Sequence, residues 1–117
     1  MSDVKKLAVI GAGTMGSGIA LVGASKGIEV SLIDVSEEQL SVAAAYHAKT
    51  MDRNVQKERM TRDEADAALG RITGLSNMAD ASDADWVVEA ATENADLKKK
   101  IFKRMNEVFG DGVVLAT

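Results

Sequence analysis

The chain of 117 residues has no cysteine. That excludes disulfides, thiolate metal sites and a cysteine nucleophile, and it fits a reducing compartment. Aromatic residues make up only 3%, so a core has to be assembled from Ala, Val, Leu, Ile and Met. There is one histidine, and no cluster of His, Asp and Glu at metal-ligand spacing. No apolar run approaches the length of a membrane span. The N-terminal "MSDVKKLAVIGAG" has a charged start, but its apolar run breaks at Gly11 and no small-residue cleavage site follows, so it reads as a strand rather than a signal peptide. Basic residues are not in excess either. The net charge is −4, which argues against nucleic-acid and membrane-surface partners. A cytoplasmic protein is the default expectation.

What the chain does have is 46% hydrophobic residues and a regular alternation of patterns. The length suits one modest domain. Val4 to Ile10 reads as a buried strand ending in glycine. Thr14 to Lys26 reads as a helix, with Met15, Ile19 and Val22 at helical spacing and Gly27 as its stop. Glu29 to Ile33 is a second apolar run ending at Asp34, which completes a strand–helix–strand unit.

Ser36-Glu37-Glu38-Gln39 has the form of a capping box, with Gln39 reaching back to the Ser36 amide. It opens a long helix with Leu40, Ala43, Ala44, His47, Met51 and Val55 on one stripe. Thr61-Arg62-Asp63-Glu64 is a second box, followed by Ala65, Ala68, Leu69 and Ile72 on one face. The two helices form a hairpin over about 36–70, joined near Lys57 to Met60. Arg71–Leu75 and Asp85–Ala91 read as strands, Asn94–Phe109 as a helix burying Leu97, Ile101, Met105 and Val108, and Val113–Ala116 as the start of a last strand. The expected fold is α/β: a doubly wound parallel sheet of Rossmann type, covered on both faces, with an inserted helical hairpin.

The chemistry concentrates in "IGAGTMGSG". Its glycines at 11, 13 and 16 have G-x-G-x-x-G spacing, a weak signal alone but a stronger one between a strand and a helix. Gly11 serves the sharp turn, Gly13 clears space for a pyrophosphate, and Gly16 lets the helix pack closely. The helix beginning at Thr14 aims amides and a positive dipole end at the same spot. Asp34 lies about 20 residues beyond, where a carboxylate accepts hydrogen bonds from an adenosine ribose. It repels a 2′-phosphate, which favours NAD over NADP. Asp34 as a mere helix starter, and FAD as the dinucleotide, remain alternatives.

The second informative stretch is "VVEAATENADLKKKIF". Ala90 and Ala91 stand at a strand's carboxyl end, where small residues allow a nicotinamide ribose to approach. Glu93 either contacts the nicotinamide half or simply faces the next helix's dipole. Lys98 is the one lysine of its run within about a turn of the cofactor edge. His47 lies about 16 Å along its helix, on the apolar stripe, and reads as a packing residue rather than a catalytic base.

Taken together, "IGAGTMGSGIA", Asp34, "WVVEAATENADLKKKIF" and "VVLAT" resemble the NAD-binding domain of the 3-hydroxyacyl-CoA dehydrogenases, nearest to the bacterial 3-hydroxybutyryl-CoA type. "DRNVQKERMTRDEADAALGRI" is similar to that family's helical hairpin. The resemblance implies that Gly11, Ala12, Gly13, Thr14, Met15 and Gly16 line the pyrophosphate loop and that Asp34 holds the adenosine ribose. It places Ala90, Ala91, Glu93 and Lys98 at the nicotinamide half. Arg53, Lys57 and Arg59 match positions that meet CoA phosphates. The implied reaction is NAD-linked interconversion of 3-hydroxyacyl-CoA and 3-oxoacyl-CoA in fatty acid metabolism, by a protein that is a homo-oligomer at full length.

The family continues past "LAT" into a serine-rich turn, a catalytic His with its orienting Glu, and a helical C-terminal domain. This chain stops at Thr117. The expectation is therefore a domain that binds NAD but is catalytically incomplete, and that associates through the face and strand edge left uncovered. The rival readings are another Rossmann dehydrogenase, of the 3-hydroxyisobutyrate or 6-phosphogluconate type, and a non-catalytic nucleotide-binding module.

Overall fold

The computed structural model describes residues 5–90, 95–109 and 114–116. Five parallel strands form one sheet: Lys6–Ile10 (β1), Glu29–Ile33 (β2), Ile72–Leu75 (β3), Trp86–Glu89 (β4) and Val114–Ala116 (β5), in the order β3-β2-β1-β4-β5. β1 is central. Leu7 pairs with Val30 on one side and with Trp86 on the other. The chain moves outward one way from β1 to β3 and then crosses back to β4, so the order reverses beside β1 and opens a crevice at the carboxyl ends of β1 and β4.

Strands this apolar need both faces covered. On one face Leu7, Val9, Val30, Leu32 and Val88 pack against Ala20 and Ala24 of helix Thr14–Ser25 (α1) and Ala43 of helix Glu37–Gln56 (α2). On the other, Ala8, Ile10, Ile33 and Val87 meet Met105 of helix Ala95–Phe109 (α4) and Ala81 of a short 3₁₀ helix, Met78–Ala81. Leu21, Met51, Ala65 and Ala68 join α1 and α2 to helix Arg62–Gly70 (α3) in a third cluster.

Several local expectations need correction. Met15 and Val22 do not mark the buried face of α1; they are 60% and 57% exposed, and Gly16, Ser17, Ala20, Leu21, Gly23 and Ala24 are buried instead. The close approach to the sheet falls at small residues: a Cβ on Gly23 would lie 3.3 Å from the Leu7 and Val30 side chains, while the one large buried side chain, Leu21, packs instead against α2 and α3. Of the strand expected over Asp85–Ala91, the described residues give Trp86–Glu89, without Asp85 and Ala90. Ile72 belongs to β3 rather than to the face of α3. The 3₁₀ helix had no counterpart in the periodicity. It is capped by Asn77, whose side chain accepts from the Ala79 amide at 3.0 Å.

The two helix starts also differ. At α3 the box is complete: the Glu64 amide donates to Thr61 Oγ1 at 3.1 Å, and the Thr61 amide donates to Glu64 Oε1 at 3.0 Å. At α2 only half of it forms. The Gln39 amide donates to Ser36 Oγ at 3.2 Å, but the Ser36 amide donates to Asp34 Oδ1 at 2.9 Å, so Asp34 takes the place expected for Gln39. α2 ends in a Schellman turn, with the Arg59 amide on the Asn54 carbonyl at 2.9 Å and the Glu58 amide on the Val55 carbonyl at 3.0 Å. Glu58 therefore takes a φ of +60°, the left-handed region.

Candidate dinucleotide site

At the end of β1 the chain turns sharply through Gly11, whose φ is +106°. The Gly11 amide donates to the Ile33 carbonyl at 2.7 Å, anchoring the turn to β2. Gly16 passes so close that a Cβ built on it would lie 1.7 Å from the Gly11 carbonyl oxygen, so no side chain fits there. Gly13 is the reverse case. A Cβ on it would meet no protein atom within 4 Å, because that side of the loop faces open space.

Gly13 is also the N-cap of α1. No side chain caps this helix, and its first turn contains no acid. Amides at such a helix start point along the axis toward whatever lies beyond, and the dipole favours an anion there. Thr14 and Met15, the first helical residues, are exposed. From below, the Ser17 hydroxyl donates to the Ala12 carbonyl and the Ser17 amide to the Gly13 carbonyl, both at 2.9 Å, so the loop is fixed before any ligand arrives.

Asp34 follows the last residue of β2 and is partly buried. Its Oδ2 accepts from the Ala12 amide at 3.0 Å, and its Oδ1 accepts from the Ser36 amide. The carboxylate thus ties the glycine loop to the start of α2. The sequence posed ribose contact and helix initiation as alternatives. The fold gives Asp34 the helix start and a loop anchor, while each oxygen keeps further acceptor capacity.

Beside Asp34 opens a cavity of about 550 Å³. Gly11 and Asp34 border it together with Ile33, Val35, Met78 and Ile101, and Asn77 and Arg104 add polar groups. The residues from the 3₁₀ region and from α4 were not among the sequence candidates. They are far from the glycines in the chain, and only the strand order brings them together. On the other side of the loop, Gly13 and Thr14 face a smaller cleft of about 360 Å³, lined by Gln39, Val42 and Tyr46 of α2. The glycine loop is therefore a ridge between two hollows.

Ala90 lies at the switch point, its amide donating to the Ile10 carbonyl at 2.8 Å. Ala91 and Glu93 lie outside the described residues. Lys98 falls in the first turn of α4, and its side chain is likewise outside the described set. Glu89, the residue before Ala90, is buried at the end of β4, and the sequence reading assigned it no role. Arg53, Lys57 and Arg59 are exposed at the far end of α2, which at 20 residues is roughly 30 Å long, so they are not brought to the glycine loop. His47 is buried with Nε2 2.8 Å from the Ser17 carbonyl, tying α2 to α1 as a packing residue.

The residues fit a dinucleotide in three respects. There is open space where Gly13 lacks a side chain, an uncapped helix end without acids, and a fixed carboxylate beside a cavity. A family profile described as "3-hydroxyacyl-CoA dehydrogenase, NAD binding domain" matches residues 6–117. The chain is 37% identical over 112 residues to a 3-hydroxybutyryl-CoA dehydrogenase of Mycobacterium tuberculosis, covering 95% of this chain and 39% of that protein. It is 34% identical over 115 residues to a fatty acid oxidation complex subunit alpha of Psychrobacter sp., covering 98% of this chain and 16% of that protein. The crystal structure of (S)-3-hydroxybutyryl-CoA dehydrogenase from Ralstonia eutropha superposes with a TM-score of 0.92 at 37% identity, over 97% of this chain and 41% of that one. The chain thus spans well under half the length of these relatives. With its glycine loop, Asp34 and strand order in place, it belongs to the NAD-binding domain family of the 3-hydroxyacyl-CoA dehydrogenases.

Proposed function

We propose that the chain holds NAD with its diphosphate against the loop from Gly11 to Gly16, through Ala12, Gly13, Thr14 and Met15. Asp34 receives the adenosine ribose, and Ala90, Ala91, Glu93 and Lys98 serve the nicotinamide half. The single observation that carries this reading is the Gly13 side of the loop: open, uncapped, and locked in position by Asp34 and Ser17. NAD supplies the hydride acceptor or donor when bound. The residues of this chain orient it, and the Asp34 carboxylate repels a 2′-phosphate.

The reaction we assign to the protein in which this domain works is interconversion of a 3-hydroxyacyl-CoA and a 3-oxoacyl-CoA. Support comes from relatives named as 3-hydroxybutyryl-CoA and 3-hydroxyadipyl-CoA dehydrogenases. Arg53, Lys57 and Arg59 would meet the CoA phosphates. Their separation from the loop, about 30 Å along α2, suits a ligand as long as an acyl-CoA. Oxidising a hydroxyl by hydride loss also needs a base for its proton. His47 is the chain's one histidine, and it is committed to the Ser17 carbonyl in the interior. These 117 residues alone are therefore expected to bind NAD without turning over substrate.

Calorimetric titration of the wild-type chain and Asp34→Ala with NADH, NADPH and acetoacetyl-CoA tests the reading. Wild type should bind NADH at least tenfold more tightly than NADPH. Asp34→Ala should lose roughly ten- to a hundredfold in NADH affinity, as for a lost charged hydrogen bond plus a loosened loop. Equal affinity for the two nucleotides in wild type would refute the role of Asp34. Steady oxidation of NADH by acetoacetyl-CoA on the chain alone would refute its catalytic incompleteness.

A further inference from the structure

The cavity beside Asp34 has a wall supplied by α4. Met105 is fully buried beneath the sheet and Ile101 is half-buried, while Arg104 lies at the flank of that stripe and borders the cavity together with Ile101. The opposite walls are Ile10 and Ile33 at the strand ends and Met78 at the start of the 3₁₀ helix. A cavity of about 550 Å³ with apolar walls, one carboxylate and one planar cation suits a flat heterocycle carried on a sugar. The carboxylate takes the sugar hydroxyls. The guanidinium has the shape and charge to cover the π face of the ring.

Arg104 is available for this. Its ion pair with Glu107, one turn along, is long at 3.6 Å, and both side chains are about half exposed. A pair of that kind contributes little and does not lock the guanidinium away.

We propose that Arg104 is a further binding residue of the cofactor site, stacking on the adenine ring of NAD while Asp34 holds the attached ribose. The proposal rests on the assignment of this crevice to NAD and adds a residue from α4 to it.

The test uses the 117-residue chain, its Arg104→Ala and Arg104→Lys variants, NADH, and ADP-ribose, which lacks the nicotinamide. Arg104→Ala should weaken NADH and ADP-ribose by the same factor, roughly three- to thirtyfold. Arg104→Lys should recover little of the loss, because an ammonium has no face to stack. Both variants should melt within about 3 °C of wild type, since each changes only a half-exposed side chain.

Affinities within 1.5-fold of wild type in Arg104→Ala would overturn the proposal. So would full recovery by lysine, which would mean that charge alone matters, and so would a loss of affinity that tracks a large fall in melting temperature. Failure of wild type to bind either NADH or ADP-ribose would instead overturn the NAD assignment itself. Binding by wild type with an insensitive Arg104→Ala overturns only the role of Arg104.

Discussion

Two glycines three residues apart make opposite predictions under the same substitution. Gly13→Ala places a methyl where no protein atom lies within 4 Å, on a backbone with φ −72° and ψ −166° that alanine adopts freely. Losing a glycine restricts the unfolded chain and stabilises by about 0.4–1 kcal/mol. Alanine is a poorer N-cap than glycine, which offsets part of that gain. The net change in stability should stay within about 1 kcal/mol, or a few degrees in Tm. The methyl nevertheless occupies the space through which a diphosphate reaches the loop amides. Losing one charged hydrogen bond there costs about 1.5–3 kcal/mol, so NADH affinity should fall roughly ten- to a hundredfold.

Gly16→Ala drives its methyl to 1.7 Å from the Gly11 carbonyl oxygen, which is backbone and cannot rotate away. The loop or the helix start must move by more than an ångström. Overpacking of this kind costs about 1–3 kcal/mol or more, so Tm should drop by roughly 5–12 °C, and NADH binding should be lost as well. The assays are thermal melting by circular dichroism without ligand and calorimetric titration with NADH. If Gly13→Ala binds NADH within twofold of wild type, the space beside Gly13 does not hold the diphosphate and the reasoning fails. If Gly16→Ala melts like wild type, the close approach of the two backbones is wrong.

Two further predictions concern the helices around the site. His47→Ala removes a buried ring and its hydrogen bond to the Ser17 carbonyl, and should lower unfolding free energy by about 2–4 kcal/mol in a urea titration. Its NADH affinity, measured well below the melting temperature, should stay within about fivefold of wild type; complete loss would mean that His47 does more than join α2 to α1. Glu58 holds a φ of +60° at the Schellman turn, so Glu58→Gly should relieve strain and raise stability by about 0.5–1 kcal/mol. Unchanged or lower stability in the same titration would show that the glutamate side chain outweighs that strain.

The parts that were legible in the sequence are those whose causes are local. Glycine spacing, the Thr61–Glu64 box and the alternation of apolar runs each act within a few residues, so the strand–turn–helix order and the placing of the glycine loop follow from short stretches read alone. Asp34 was half legible. Its spacing marked it for ribose, but its bonds to the Ala12 and Ser36 amides depend on how β2 lies against β1. Hydrophobicity misled at α1, where the small residues Gly16, Ser17, Ala20, Gly23 and Ala24 are buried while Met15 and Val22 face outward.

By itself, then, the sequence determined which strands and α-helices form and that a glycine-rich turn joins β1 to α1, because caps, turns and periodicity are short-range effects. Only the tertiary structure decided that Arg104 and Met78 share a cavity with Asp34 and that His47 is spent on Ser17. The physical reason is the strand order: by setting β1 between β2 and β4, the sheet brings side chains tens of residues apart to one edge, and no local pattern encodes that neighbourhood.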